Sequence, residues 1–178
     1  MTALVVPTLD LYDSWAEAVG EYEPGQMHGS GIPGNRCGAP TREVCAGLVA
    51  KAKEYADPAR PLPEGKVHCD FLWIVDQAGT FVGFLALRHT LNGYLRRLGG
   101  HIGYSVRPSR RREGHASRAL ALGLDRARRR GLDAVMLTCD DDNLASARTI
   151  EGNDGVLQDV LVSHPDNPRP YRRYWISL

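Results

Sequence analysis

Six consecutive residues, Arg111-Arg112-Glu113-Gly114-His115-Ala116, combine features that suit a phosphate-bearing ligand. They lie between an apolar stretch, 101–106, and a helical stretch that starts at His115. The first N–H groups of a helix have no partner within it and carry a partial positive charge, so a helix start attracts anions. Gly114 has no Cβ to hold a bulky ligand away from the backbone. Arg111 and Arg112 add fixed charges that match phosphate oxygens, and the backbone up to Ser117 can add N–H donors. The pattern reads as a pyrophosphate cradle. It reads equally as a loop-to-helix junction with solvated arginines, and these residues alone do not choose.

Groups able to move protons are fewer. His101 opens the stretch before the cradle, and His89 ends the strand before that. An imidazole with an ordinary pKa near ~6.5 is largely a base at pH 7. Either ring could equally be a histidine hydrogen-bonded at a strand end. Asp140-Asp141-Asp142 offers hard oxygen ligands, but acidic residues ahead of a helix are the ordinary solvated turn, and no metal site is expected. Arg126, Arg128, Arg129 and Arg130 lie at the far end of their helix from the cradle and read as a solvated helix end. Arg107 and Arg110 are the nearer phosphate contacts. Residues 24–40 are rich in Gly and Pro and hold His28, Asn35 and Arg36. Such loops often serve as lids or binding loops, so this one is expected to border a pocket that His28 and Arg36 face.

The elements that must hold these groups follow from periodicity and punctuation. Residues 3–6 form a short strand. Asp10 can cap a helix over 11–23, with Leu11, Trp15, Ala18, Val19 and Tyr22 on one face. Thr41 can cap a second helix to about residue 56, with Val44, Cys45, Leu48, Val49, Ala52 and Tyr55 on its buried side. Strands at 71–75 and 81–87 flank Asp76-Gln77-Ala78-Gly79-Thr80, a hairpin signature. Residues 88–99 form a polar excursion. A strand at 101–106, a helix over 115–130 ended by Gly131 and a buried strand at 134–138 make a strand–helix–strand unit, hence a parallel pair. A short helix at 144–151 and a hairpin of 156–162 with 171–178, turning at 164–168, close the chain. Trp15, Trp73 and Trp175 are expected in the core. The class is α/β, a single domain over 1–178, with a mixed, mostly antiparallel sheet.

At 178 residues, 43% hydrophobic and 24% charged, the chain can bury a full core. A net charge of +1 gives no general attraction to nucleic acid, so any anion site must be local. Only Lys51, Lys53 and Lys66 among the 22 basic residues are lysine. No apolar run reaches the ~18 residues of a membrane span, and the N-terminus lacks the charged region of a signal peptide. Cys37, Cys45, Cys69 and Cys139 are scattered, which fits a reducing cytoplasm rather than a disulfide or metal framework.

In these residues the chain resembles the GCN5-related N-acetyltransferase superfamily. Its acetyl-CoA signature is Q/R-x-x-G-x-G/A after a strand ending in Val-x-Pro. Val106-Arg107-Pro108 leads here to Arg111-Arg112-Glu113-Gly114-His115-Ala116, which fits every fixed position. A second element is an Asn just past the next strand and before a short helix, and Asn143 stands there. The order of elements fits over essentially the whole chain. The run Gly100-His101-Ile102-Gly103-Tyr104, with Arg88-His89-Thr90-Leu91-Asn92, is similar to an uncharacterised bacterial branch.

The resemblance implies direct transfer of acetyl from acetyl-CoA to an amine in a ternary complex, on a sheet whose parallel pair is splayed and flanked by helices. It implies that Arg111, Arg112, Glu113, Gly114, His115, Ala116 and Ser117 hold the pyrophosphate. Main-chain groups of Tyr104 and Val106 would pair with pantetheine, an N–H near Tyr104 would meet the oxyanion, and Asn143 and Ser146 would order the thiol end. Many relatives use a Glu on the strand before the cradle as base; this strand has none, which leaves His101 and then His89. The usual Tyr acid position is Ile150, so Tyr104, Tyr171, Tyr174 and Cys139 are the substitutes. The expected acceptor is a small-molecule amine. A protein N-terminus or lysine, or a noncatalytic acyl-CoA sensor, are the alternatives. Dimers are common in the superfamily, which leaves a homodimer open; neither nucleic acid nor membrane is an expected partner.

Overall fold

The computed structural model describes residues 1–162 and 168–178. Strands β1 (Ala3–Val5), β2 (Cys69–Val75), β3 (Phe81–Arg88) and β4 (Ile102–Val106) form an antiparallel sheet in that order. Strands β5 (Ala134–Asp140), β6 (Val156–Leu161) and β7 (Tyr171–Ser177) form a second one, ordered β5-β7-β6. Helices α1 (Tyr12–Val19), α2 (Arg42–Ala56), α3 (Gly93–Arg97), α4 (His115–Arg129) and α5 (Leu144–Glu151) surround them. The turn expected at 164–168 falls, up to residue 167, outside the described residues.

β3 reads Phe-Val-Gly-Phe-Leu-Ala-Leu-Arg and is buried along almost its whole length, because helices cover both of its faces. On one face, Leu85, Leu87 and Ile102 pack with Leu120, Leu124 and Ala127 of α4 and with Val135 and Leu137 of β5. On the other, Trp15, Ala18 and Val19 of α1 pack with Trp73, Phe81 and Phe84. Trp15 and Trp73 stack there, with ring centroids 6.2 Å apart. Trp175, expected in the core, is only half-buried and donates its indole N–H to Gln158 Oε1 at 2.6 Å.

Several elements differ from the sequence expectation. The first helix ends at Val19 instead of running to 23, and a 3-10 turn over Leu9–Leu11 precedes it. Thr8 caps that turn, its Oγ1 accepting Asp10 N–H at 3.3 Å, while α1 follows from Leu11 with no side-chain cap, so Asp10 does not cap it. Val44, placed on the buried side of α2, is exposed, while Cys45 and Ala52 are buried. The polar excursion contains α3, capped by Asn92 Oδ1 on Leu95 N–H at 2.9 Å. Five residues are too few to show helical periodicity. β5 runs two residues further than expected, to Asp140.

The strand–helix–strand unit forms, but its two strands do not pair along their length. His101, just ahead of β4, donates its N–H to Met136 O at 2.7 Å, and its Nδ1 accepts Met136 N–H at 2.9 Å. Past that point β4 pairs only with β3, and β5 only with β7. Gly100 makes this approach feasible. A Cβ there would lie 2.3 Å from Met136 O, and its φ is +61°. We therefore expect Gly100→Ala to destabilise the protein by about 2–4 kcal/mol, through the left-handed backbone and the clash together. Chemical denaturation measures this, and an unchanged unfolding midpoint would mean that the strands can meet without the glycine.

Candidate active site

The parting of β4 and β5 exposes main chain. Successive residues of an antiparallel strand turn their N–H and C=O groups alternately to either side. His101 O accepts from Arg88, and Arg107 N–H donates to Val82, so the odd positions of β4 face β3. The even positions, Ile102, Tyr104 and Val106, face the gap. On β5, Met136 faces His101 and Asp141 N–H bonds to Pro170 O, so Thr138 and Asp140 face the gap from its other wall. The two strands turn main-chain groups into the gap from each side, as a strand-like ligand requires, although Val106 O is taken by Arg111 Nε and Asp140 O by Asn143 N–H.

At the far end of β4 lies the start of α4. A 3-10 turn over Pro108–Arg110 leads into Arg112 and Gly114, both left-handed at φ 65° and 81°. The first backbone bond into the helix runs from Arg118 N–H to Gly114 O at 3.1 Å. His115, Ala116 and Ser117 ahead of it have no carbonyl to reach. Side chains fix this turn. Arg111 Nε donates to Val106 O at 3.1 Å, and its Nη2 donates to Gln26 Oε1. Buried His115 contacts Thr2 Oγ1 at 3.0 Å and Glu113 Oε2 at 3.3 Å. Arg118 donates to Glu113 O. Ser117 Oγ accepts from Asn153, and Arg112 is exposed.

At the opposite end of the gap lies a cavity of about 430 Å³. Its walls come from the 24–40 loop (His28, Asn35), α3 (Tyr94), β4 (Tyr104), β5 (Thr138, Cys139, Asp140) and the start of α5 (Asn143, Ser146). Asn143 caps α5, its Oδ1 accepting Ser146 N–H at 3.1 Å. Ser146 Oγ lies 3.1 Å from Tyr104 OH. Burial pushes the Tyr104 hydroxyl up to about 12, against a smaller opposing effect of Ser146, so it stays protonated. The Cys139 thiol is raised to about 11, also by burial.

The structure thus brings Tyr104, Asn143 and Ser146 together and sets 111–117 at the other end of the gap. It leaves His101 and His89 outside the cavity lining. His101 has its Nδ1 occupied by Met136 N–H, and burial, with Arg96 and Arg88, lowers it to about 4. His89 is bonded to buried Asp70 at 2.9 Å. Asp70 also takes Arg126 and Arg130, so these two arginines are not the solvated helix end that the sequence suggests. Arg107 is buried against Glu21 and Glu17, and Arg110 pairs with Asp76 and Glu113, so both charges are matched within the protein. His28 lines the cavity, but Arg36 is exposed and its place is taken by Asn35. Tyr171 and Cys139 line it too, whereas Tyr174 is buried and donates to Glu151. Asp140, which the sequence reads as part of a solvated turn, belongs to β5 and turns to the gap, and Thr138, inside the expected strand, carries no sequence signal of the side it faces.

A family model described as Acetyltransferase (GNAT) family matches residues 45–151. No curated relative matches the chain by sequence. Among solved structures, the fold is similar to RimL, a ribosomal L7/L12 alpha-N-protein acetyltransferase in complex with coenzyme A. That match has a TM-score of 0.72 and 16% identity, and covers 99% of this chain and 94% of that one. It is similar to RimJ of Mycobacterium smegmatis, with TM-score 0.67, 23% identity and coverage of 99% and 81%. It is also similar to the microcin C7 self-immunity acetyltransferase MccE in complex with acetyl-CoA and AMP, with TM-score 0.70, 12% identity and coverage of 99% and 92%.

The neutral ring of His101 is the form that accepts Met136 N–H, while an unfolded chain has an ordinary imidazole near ~6.5. The unfolded state therefore binds the extra proton, and the contribution of His101 is complete above about pH 6.5 and is lost as pH falls toward about 4. The loss is on the order of 3 kcal/mol. In His101→Gln, the pH dependence of urea unfolding near pH 5 should be shallower by close to one proton; equal slopes in the two proteins would rule out a depressed His101.

Proposed function

The chain belongs to the acetyltransferase (GNAT) family, an acetyl-CoA-dependent acyltransferase, and on that premise we propose that it acetylates the primary amine of a small molecule by direct transfer in a ternary complex. The observation that carries this reading is the gap itself, where β4 and β5 part between a helix N-terminus and a polar cavity. Acetyl-CoA supplies the acetyl thioester. The N–H groups of 112–117, with Arg111 and Arg112, take the pyrophosphate. Tyr104 and Val106 pair with the pantetheine amides as a neighbouring strand would. An N–H beside Tyr104 meets the negative charge that gathers on the thioester oxygen as the amine attacks. Asn143 and Ser146 order the sulfur end.

The amine nitrogen forms the new N–C bond, and the C–S bond breaks. A base at the cavity takes the amine proton, and the departing thiolate takes one in turn. Tyr104 is the candidate donor, held protonated against Ser146. Asp140 gives a cationic acceptor a counter-charge at the cavity wall. The cavity's size falls in the range of small-molecule sites, which supports a small acceptor. Among the described residues no helix is long and apolar enough to cross a membrane, and the four cysteines are free, which supports a reducing cytoplasm.

Acetyl-CoA should raise the melting temperature, and thiol release should follow with at least one member of a panel of amino acids, polyamines and aminoglycosides. Turnover confined to peptides with free N-termini would replace the small-molecule acceptor by a protein. Stabilisation without turnover on any amine would point to a sensor. Gly114→Glu puts a charged side chain on the N–H cradle and should weaken coenzyme A by at least about 100-fold, or ~3 kcal/mol, with unchanged far-UV circular dichroism. Calorimetric titration decides, and unaltered affinity would mean that the cradle is elsewhere.

A further inference from the structure

We propose that His28 is the base that takes the proton of the acceptor amine, an assignment that rests on amine acetylation being the reaction. A free alkyl amine is mostly protonated at neutral pH and must lose a proton to attack. β4 carries no acid or imidazole on its way past the cavity, and at Gly103 it carries no side chain at all. The 24–40 loop covers that bare position. Gly29 lies so close that a Cβ on it would sit 2.3 Å from Gly103 O and 3.1 Å from Ala86 N. Ser105 Oγ donates to His28 O at 2.9 Å. The His28–Gly29 peptide is thereby fastened onto β4, and the imidazole is delivered to the cavity by the loop instead of by the strand.

Asn35 holds the ring. Its backbone carbonyl accepts Gly25 N–H at 3.1 Å and Met27 N–H at 3.4 Å, closing the loop on itself. Its side-chain Nδ2 lies 3.3 Å from His28 Nδ1, the orientation in which the amide donates and the ring proton sits on Nε2. An amide can present either its oxygen or its nitrogen there. The base role requires the amide turned by 180°, with its oxygen at Nδ1; the ring proton then sits on Nδ1 and Nε2 keeps the basic lone pair. The titratable and charged groups that line the cavity with His28 are Arg88 from β3, Tyr94 from α3, Tyr104 from β4, Cys139 and Asp140 from β5, and Tyr171 from β7. Crowding by these walls lowers the imidazole below its ordinary value, and Asp140 opposes the shift while Arg88 adds to it. The ring is therefore unprotonated at neutral pH. It also keeps solvent exposure, so the proton it takes can pass to bulk water. Asp140 serves as counter-charge to the ammonium; at neutral pH an imidazole is the better proton acceptor.

Two measurements test this. The first is the 15N spectrum of His28 in the coenzyme A complex, which needs no acceptor. A proton on Nδ1 with bare Nε2 is expected, and a proton on Nε2 with Nδ1 tied to Asn35 overturns the assignment. The second compares wild type with His28→Gln on the best amine of the panel. At pH 7, kcat should fall by about 100-fold or more, and the acid limb of its pH profile should disappear. Affinity for acetyl-CoA should stay within about twofold. Turnover within threefold of wild type, with the acid limb intact, overturns the proposal. Failure of the reaction reading shows itself separately, as wild type neither bound nor stabilised by acetyl-CoA.

Discussion

At His101 the two central strands share a pair of hydrogen bonds, and past it they share none. One of those bonds is not a ladder bond. An imidazole nitrogen accepts Met136 N–H where a carbonyl of β4 would stand in a continuous sheet. That substitution ends the ladder without leaving the Met136 amide unpaired, and the Gly100 backbone lets the chain turn away at once. Beyond it, Ile102, Tyr104 and Val106 keep main-chain groups directed into a gap. An unmade backbone bond costs about 1–3 kcal/mol when it is desolvated, so a strand-like ligand that enters the gap recovers stability that the fold gives up. Donor binding and strand separation are thus two sides of one arrangement, anchored on a neutral, buried histidine.

The rest of the frame keeps that gap at fixed width. Glu21, at the end of the first helix, accepts from Arg107 and from both Ser109 N–H and Oγ. The bonds from Arg107 lead in holding its carboxyl at about 2, against its partial burial. This ties the far end of β4 to α1. At the other end of α4, Asp70 is buried in β2. Burial would raise its pKa, but bonds from His89, Arg130 and Arg126 outweigh that and hold it well below the usual carboxylate range. Losing one partner of such a buried cluster is far more damaging than losing an exposed pair. α4 is therefore fixed at both ends, and its N-terminal amides are aimed before any ligand arrives.

Much of this was legible from local sequence. The 111–116 run, the Val106-Arg107-Pro108 entry, the Gly131 stop and the Asn143 cap each act through their own backbone, and each is where the sequence places it. What was not legible depends on partners remote in the chain. His101 has a strand-end position that fits a base or a structural ring equally well; only Met136, 35 residues away, decides which nitrogen is occupied. Arg126 and Arg130 look solvated until Asp70, 56 and 60 residues earlier, is brought beneath them. α3 hides in a polar stretch because five residues cannot display a period, although its Asn92 cap was present to be read.

The two halves of the site differ in the same way. The proposed donor half is one continuous segment, β4 into α4, and its geometry is set by short-range rules that tolerate few residue types. The proposed acceptor half is gathered from a loop, α3, β5, β7 and the start of α5, with no single spacing running through its polar groups. Its fixed reference is the close approach of the 24–40 loop to β4, which depends on Gly29 lacking a side chain. On the proposed reading the acceptor chemistry sits on this loop and not on β4, and the loop is tied to the donor half at two points, Gln26 on Arg111 and the His28 carbonyl on Ser105.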